Sequence, residues 1–345
     1  MSVKYLDKYL YIYADCFITN GKHRFSIYDS LNGKLHFFDS DLYEIAKTQF
    51  RECTVTEILN NHNSNDKAIV TSFIEYLLDH KLAILTDDIG QFPQMKIQWD
   101  SPYLLKRAVI DIRNIEHNFD LILPSLEALL CKTLELRFYS AFNIVSKADF
   151  ITLLSKYPFD GFHLVCPYLN LLTSDEYIVE LAQLFRDNSR LLITFHSVPS
   201  SQTKTLLTKF EEFPFLSNRI VLKTKIISSC MDCGDIDIEK FKMLGIFDFM
   251  ENNLYNGCLN RQIGIDEEGY IKNCPSMSNN YGHIDDTDLR EVISNPEFTK
   301  YWHMKNDVIN TCSSCEYRYL CGGCRAYTLD NTDLYSKPAK CKYIP

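Results

Sequence analysis

No stretch of this sequence approaches the roughly 20 consecutive apolar residues that a bilayer crossing needs. Residues 1–13 carry Asp7, Lys8 and several tyrosines where a signal peptide would require an unbroken apolar run. The chain is therefore expected to stay in the cytoplasm. Positive charge is also in short supply: 36 Lys and Arg stand against 45 Asp and Glu, a formal net charge of -9. That balance gives no reason to expect nucleic acid or an anionic membrane as a partner. A Gly-rich phosphate loop, a Gly-x-Ser-x-Gly elbow and a His-Glu-x2-His motif are all missing. No two carboxylates stand out as a general acid and base, so the common hydrolytic chemistries have no anchor.

What is present is a chain of 345 residues, 46% hydrophobic and 13% aromatic, enough to build two or three cored domains. Residues 1–95 open with alternating runs at 9–13, 24–28 and 34–38, separated by the hairpin signals Asn20-Gly21 and Asn32-Gly33. Helical patterns follow at 39–50, at 55–62 behind a Thr54/Glu57 capping box, and at 68–80. Small strands followed by three helices suggest a winged-helix-like module; a generic α+β packing domain fits the same pattern. From Lys106 the pattern becomes strand and helix in alternation. Strands are expected at 108–113, 133–139, 162–168, 190–195 and 219–226, with crossover helices near 118–131, 147–156, 174–186 and 202–213. Repeated βα units imply an α/β fold with a parallel sheet curling into a partial barrel over 103–251. A cysteine-rich region occupies 252–345.

Thirteen cysteines in a reducing compartment stay as thiols, and clustered thiols more often ligate metal than pair with one another. Seven fall in the last region. Cys258 and Cys274 flank a hairpin turning at Glu267-Glu268-Gly269, which brings two thiolates to one end. Then comes Cys312-x2-Cys315-x5-Cys321-x2-Cys324, and sixteen residues separate Cys324 from Cys341. Two-residue gaps suit metal binding because a tight turn presents both sulfurs to one centre while its N–H groups bond them. Iron–sulfur cluster and zinc both accept such sites. Cys16, Cys53, Cys131 and Cys166 sit alone in apolar or helical contexts and read as buried structural thiols.

The Cys258, Gly269, Cys274 hairpin, the Cys312 to Cys324 run and the trailing Cys341 resemble the SPASM domain of peptide-modifying radical SAM enzymes. Tyr281-Gly282-His283, Trp302, Lys305 and the run from Cys312 through Glu316-Tyr317-Arg318-Tyr319-Leu320 to Cys321 are closer to one subgroup. That subgroup is the SPASM-domain maturase of grasp-with-spasm systems, and the likeness extends to residues 5–28. The resemblance implies two [4Fe-4S] clusters, a small precursor peptide and an ATP-grasp ligase as partners, and leader recognition by residues 1–95. It also implies that Cys312, Cys315, Cys321 and Cys341 hold the outer cluster, and Cys258, Cys274 and Cys324 the inner one. The inner set is one ligand short. A substrate atom, Cys230 or Cys233 could complete it, Cys230-Met231-Asp232-Cys233 being a further two-residue-gap pair. Cys321 and Cys324 are separated by two residues where commoner SPASM domains have three.

The radical SAM loop itself, Cys-x3-Cys-x2-Cys after the first barrel strand, is absent: the chain reads Asn114-Ile115-Glu116-His117 there. The Gly-Gly-Glu expected after the second strand is replaced by Ser140-Ala141-Phe142. No S-adenosylmethionine is expected, and fold resemblance does not transfer an activity whose reactive atoms are gone. Arg113, Arg137, Tyr139, His196 and Lys223 lie near the C-terminal ends of strands, where βα barrels gather their sites. They suit an anionic ligand such as an acidic peptide or a nucleotide. Alternatively Asp111, Glu135, Arg113 and Arg137 form an internal ion-pair network. His117, His163 and His283 read as satisfied structural histidines. Three functions remain: a pseudoenzyme that presents a precursor peptide to an ATP-grasp ligase, an active Fe–S redox or peptide-modifying enzyme, and a zinc-stabilised scaffold.

Overall fold

The computed structural model describes residues 7–113, 117–233, 236–241 and 243–345. Residue 5, where the family likeness begins, and the segment 114–116 after the first strand of the central sheet lie outside the described residues.

The N-terminal part holds strands β1 (Tyr9–Ile12), β2 (Cys16–Asn20), β3 (Arg24–Asp29), β4 (Lys34–Asp39) and β5 (Ala83–Thr86). Strands β2, β3 and β4 form an antiparallel sheet, and β1 pairs with β5. The Asn32-Gly33 hairpin forms because Gly33 takes φ +61 and the Asp29 carboxylate accepts from both Asn32 nitrogens. Strands β2 and β5 were not anticipated. The capping box of Thr54 and Glu57 opens the helix Val55–Asn60, and Asn63 caps the helix Ser64–Asp79 four residues before the expected start. The stretch 39–50 is not one helix. It breaks into a 3-10 turn, a π-helical turn Ile45–Gln49 and the short turn Phe50–Glu52, which together bury Leu42, Ile45, Ala46 and Phe50 in one core.

Strands β6 (Leu105–Ile112), β7 (Cys131–Phe138), β8 (Gly161–Pro167), β9 (Leu191–His196) and β10 (Ile220–Leu222) lie parallel, in chain order. Helices Phe119–Ala128, Ala148–Ser155, Asp175–Asp187 and Ser200–Glu211 connect them, so all five expected strands and four crossovers are present. Strand β10 stops at Leu222 instead of running to 226. Lys223 still donates from its backbone N–H to Phe195, but residues 223–225 follow β9 irregularly at the sheet edge.

The cysteine hairpin is part of this sheet. Strand β11 (Gln262–Ile265) pairs parallel to β6, Gln262 opposite Arg107, and β12 (Ile271–Lys272) pairs antiparallel to β11. The result is a mixed α/β fold around a seven-stranded, mostly parallel sheet in the order β10-β9-β8-β7-β6-β11-β12.

Side chains alternate across strands with period two. Ala108, Ile110, Leu134, Leu136, Phe162, Leu164 and Ile193 face the helices and make the main core. The opposite parity carries Arg107, Asp111, Glu135, Arg137, His163 and Thr194. Parallel sheets usually bury two apolar faces. On this one the face away from the helices is charged.

The N-terminal sheet grips the C-terminal region. Arg24 pairs with Glu316 at 2.5 Å, Ser26 Oγ donates to the Glu316 carbonyl at 2.8 Å, and Arg318 donates to the Asn20 carbonyl. Phe17 and Tyr28 pack with Phe249 and Leu320. The five residues between Cys315 and Cys321 are thus a docking surface for residues 16–37. Among the described residues no helix is long and apolar enough to cross a membrane.

Candidate metal centre

The C-terminal region has little regular structure, and its cysteines are positioned by turns and by buried asparagines. Cys312–Ser314 forms a 3-10 turn in which Cys315 N–H donates to the Cys312 carbonyl at 3.0 Å. Asn306 Nδ2 donates to the carbonyls of Arg318 and Cys321 at 2.7 and 2.8 Å, closing the second turn. Gly323 takes φ +67, and an added Cβ would run into Asn306 and Asn256. Asn256 Nδ2 donates to the Met304 and Gly323 carbonyls, while its Oδ1 accepts from the N–H groups of Cys258 and Leu259. One asparagine therefore ties the hairpin cysteine to the Cys321-x2-Cys324 turn. Cys258 N–H completes the link by donating to the Gly322 carbonyl at 2.9 Å.

The thiols fall into two electrostatic neighbourhoods. Burial pushes Cys315 up to about 12, with Glu316, Cys321 and Cys312 adding to the effect. Burial raises Cys321 to about 12 as well, and Cys312, Cys341 and Cys324 act on it in the same direction. Cys312 is raised by burial and by Cys341, against the opposing charge of Arg325. In the second neighbourhood, burial raises Cys258 to about 12; Arg107 opposes this, and Cys274, Cys324 and Cys233 reinforce it. Burial raises Cys274 to about 11, with Cys233 the largest contributor among its neighbours.

Cys230 shares the Ser276 side chain with Cys274, and Tyr327 lies close to both. After burial, the charges felt by the Cys230 thiol are those of Asp111, Glu267 and Lys272. The short turn Cys230–Asp232 is held by the C-terminal region: Ser276 Oγ and Tyr327 Oη donate to the Cys230 carbonyl at 2.9 and 3.3 Å. Lys340 Nζ donates to the carbonyls of Met231 and Cys233, both at 2.6 Å. Cys233 is thereby fastened to the residue preceding Cys341.

Among the described residues, no three His, Cys, Asp or Glu side chains close on a point that could hold a single metal ion. The donor chemistry nonetheless fits a thiolate-bound group. Burial opposes ionisation of the Cys258, Cys274, Cys312, Cys315 and Cys321 thiols, and a bound metal would supply the missing positive charge while displacing their protons. Cys16, Cys131 and Cys166 are buried apart from these groups, and Cys53 is half-buried in the N-terminal module.

Of the five residues read as a ligand cleft, Arg113 stacks on the Tyr139 ring at 5.3 Å with Arg137 close to the same tyrosine, and His196 and Lys223 neighbour one another. Arg113 pairs with Glu267 at 2.5 Å and also donates to the Ser228 carbonyl. Arg137 pairs with Glu135 at 2.5 Å, and His163 Nδ1 lies 3.7 Å from the same carboxylate. Burial alone would raise Glu135, but Arg137, His163 and Arg107 outweigh it and hold the carboxyl well below the usual range. His196 is buried, its ring nitrogens meeting Ser197 Oγ at 3.0 Å and the Phe138 carbonyl at 3.4 Å. Lys223 is exposed at the sheet edge. Asp111 joins no pair: it is fully buried, and neither carboxylate oxygen has a hydrogen-bond partner among the described residues. The Tyr139 hydroxyl lies beside it, near enough to favour its charge but outside hydrogen-bond geometry. His117 and His283 bond the carbonyls of Asp111 and Glu268, both at 2.8 Å.

Sequence reasoning missed Glu267, Arg107, Lys340 and Arg325 as neighbours of these groups. Two had a readable position, Glu267 in the hairpin turn and Arg325 directly after Cys324.

No family model matches the chain. An AdoMet-dependent heme synthase of Oleidesulfovibrio alaskensis is 28% identical over 83 residues, 24% of this chain and 21% of that protein. Another, from Nitratidesulfovibrio vulgaris, is 26% identical over 83 residues, 24% of this chain and 22% of its own length. The match thus spans about a fifth of either relative. It supports a distant radical-SAM-like relationship and does not reach the grasp-with-spasm subgroup.

Proposed function

We propose that this protein is a radical-SAM-like iron–sulfur maturation factor that binds a ribosomally made precursor peptide and presents it to an ATP-grasp ligase. The observation that carries the metal half of the reading is the tying of two cysteine turns by Asn256, which accepts from the Cys258 N–H and donates to the Gly323 carbonyl between Cys321 and Cys324. Cys312, Cys315, Cys321 and Cys341 would hold one cluster, and Cys258, Cys274, Cys324 and Cys233 the other. Such clusters supply electron transfer and a rigid metal staple. The chain's own residues bury the sulfurs, hold their turns with Asn256 and Asn306, and set Arg107 beside Cys258.

The peptide half rests on the N-terminal module. A cavity of about 340 Å³ is lined by β1 and β2, by Tyr43, Lys47 and Arg51, and by Arg318 and Tyr319 across the interface. Each of those strands pairs on one side alone among the described residues. Unpaired edges beside aromatic and basic side chains suit an extended, acidic peptide added as a further strand. The place of this module against the Cys315 to Cys321 loop would bring the bound peptide next to the outer cluster.

Heme synthesis is not carried over from the relatives. Residues 114–119, which follow β6, include no cysteine, so the Cys-x3-Cys-x2-Cys loop that would hold a radical cluster is missing from its place in the sequence. An open inner cluster, as a redox enzyme would need, is disfavoured by the nearness of Cys233 to Cys258 and Cys274. The deciding experiment is iron, acid-labile sulfide and zinc content on anaerobically purified protein, together with binding of the co-encoded precursor peptide. About eight irons with matching sulfide are expected. Zinc without sulfide would leave the scaffold reading in its place.

A further inference from the structure

The groove beside β1 and β2 has a further wall, supplied by the connection between the N-terminal module and β6: Gln94, Met95 and Ile97 line the same cavity. Residues 93–98 are exposed, take no regular structure and make no hydrogen bond among the described residues. Both ends of this segment are fixed. Phe92 stacks on Tyr11 with ring centroids 4.5 Å apart, and its carbonyl accepts from Arg51 at 2.7 Å. Trp99 is buried beside Phe247 and Tyr255, with the Arg261 guanidinium 5.1 Å from its ring. The segment is therefore a strap, anchored at two points and held by no bonds of its own between them.

Met95 and Ile97 line the cavity and Lys96, between them, does not, which is the alternation of an extended chain. Each of the two is 37% exposed. Two apolar side chains on one wall, both still partly in water, gain by burial against an apolar side chain of a ligand, and an unbranched methionine adapts to its shape. The rest of the wall includes Ile12, Phe17 and Ile18 together with the cations Lys47, Arg51 and Arg318, and no acidic residue. In a chain of net charge -9 that is a local positive site. Lys47 is exposed, so its charge is open to a ligand. A purely acidic ligand would use the cations alone; the strap calls for an apolar side chain as well.

We infer that residues 93–98 are a specificity strap, in which Met95 and Ile97 pack against an apolar side chain of a bound acidic peptide and close over it. The inference rests on the peptide-binding reading and deepens it from an acidic ligand to one that combines acidic and large apolar side chains.

The test uses the metal-loaded full chain and three rhodamine-labelled octapeptides. The first is Thr-Glu-Leu-Glu-Leu-Glu-Leu-Thr, the second has Ser for every Leu, and the third has Gln for every Glu. By fluorescence anisotropy the first should bind roughly tenfold or more tighter than the second. Met95→Ser combined with Ile97→Ser should erase that preference while keeping the preference for the first over the third, and Lys47→Glu should do the reverse. Both strap side chains sit on an exposed segment, so the double variant should unfold at the wild-type temperature. A second readout is trypsin cleavage after Lys96, followed as the fragment that begins at Ile97; saturation with the first peptide should slow it roughly tenfold or more. Equal binding of the first two peptides, a strap variant that binds as wild type does, or an unprotected Lys96 overturns the strap. If Lys47→Glu still weakens binding in that case, the peptide reading stands without it. Failure of all three peptides to bind overturns both.

Discussion

The ammonium of Lys340 sits 2.6 Å from the carbonyl oxygen of Cys233, so the residue beside one proposed outer ligand fixes the backbone of a proposed inner one. Cys230, three residues away, has no such tie to the outer ligands, and the strongest charge acting on its thiol is that of Asp111. The two cysteines of this pair should therefore behave differently. Cys233→Ser is expected to make the inner cluster labile, lowering iron from about eight to about four per chain. Cys230→Ser should leave stoichiometry unchanged. Iron analysis and low-temperature EPR of the reduced variants check this, and loss of iron in the Cys230 variant would reverse the assignment.

Cys321→Ser should be more damaging than either. Its carbonyl is held by Asn306, its thiol belongs to the outer group, and the loop before it carries the interface with the N-terminal sheet. A region with so little regular structure depends on ligation for much of its stability. The expected outcome is insoluble protein or loss of the outer cluster with early proteolysis after residue 252. A soluble Cys321→Ser chain with full metal content would show that the region folds without it.

The grip of Arg24 on Glu316 is separable from the metal. Glu316 is 2% exposed, and besides Arg24 it accepts from Tyr343 Oη at 2.5 Å. Arg24→Ala would leave that carboxylate buried without its cation, at a cost of about 2–4 kcal/mol. Arg24→Ala with Glu316→Gln together should cost less than the single change. Denaturant unfolding of Arg24→Ala, Glu316→Gln and the double variant tests this; a double variant as unstable as the sum of the singles would mean that the pair is not coupled.

The unpaired edges of β1 and β2 give a prediction about binding. Lys47 and Arg51 line the groove beside them, so reversing both to Glu should weaken precursor binding roughly tenfold or more, and the remaining affinity should depend less on salt. Affinity that is unchanged at low and moderate salt would place the peptide elsewhere.

The local signals in the sequence were readable where the physics is local. Asn32-Gly33 and Thr54 with Glu57 each produced the expected turn or cap, because a left-handed glycine and a reciprocal pair of hydrogen bonds act over four residues. The βα alternation was legible for the same reason. Long-range pairings were not. Nothing in the run Gln262 to Ile265 announces that it lies beside β6, and nothing in the Cys315 to Cys321 spacing announces a docking surface. The ion-pair network read as the alternative to a cleft holds for Glu135 with Arg137 on one strand, but not for Arg113 or Asp111, because a partner arrives from the hairpin turn. Glu267 takes Arg113 and Glu135 takes Arg137, leaving the acid Asp111, rather than a base, as the unpaired charge.

That unpaired acid has a pH signature. Burial raises Asp111 to about 7; Arg137 and Tyr139 oppose the rise, and Glu267 and Glu135 add to it. An unfolded aspartate titrates near 4. Below that value the carboxyl is protonated in both states and its contribution to stability is complete. Between about pH 4 and 7 the folded chain binds the extra proton, so stability falls as pH rises through the folded value, and above it the loss is full. Asp111→Asn removes the ionisable group and with it this dependence. Relative to wild type it should gain stability on the order of 2–4 kcal/mol between pH 5 and pH 8, seen as a widening difference in Tm. A difference in Tm that stays constant across that range would mean that Asp111 is ionised throughout, and that a cation or ordered donor reaches its two open oxygens in solution.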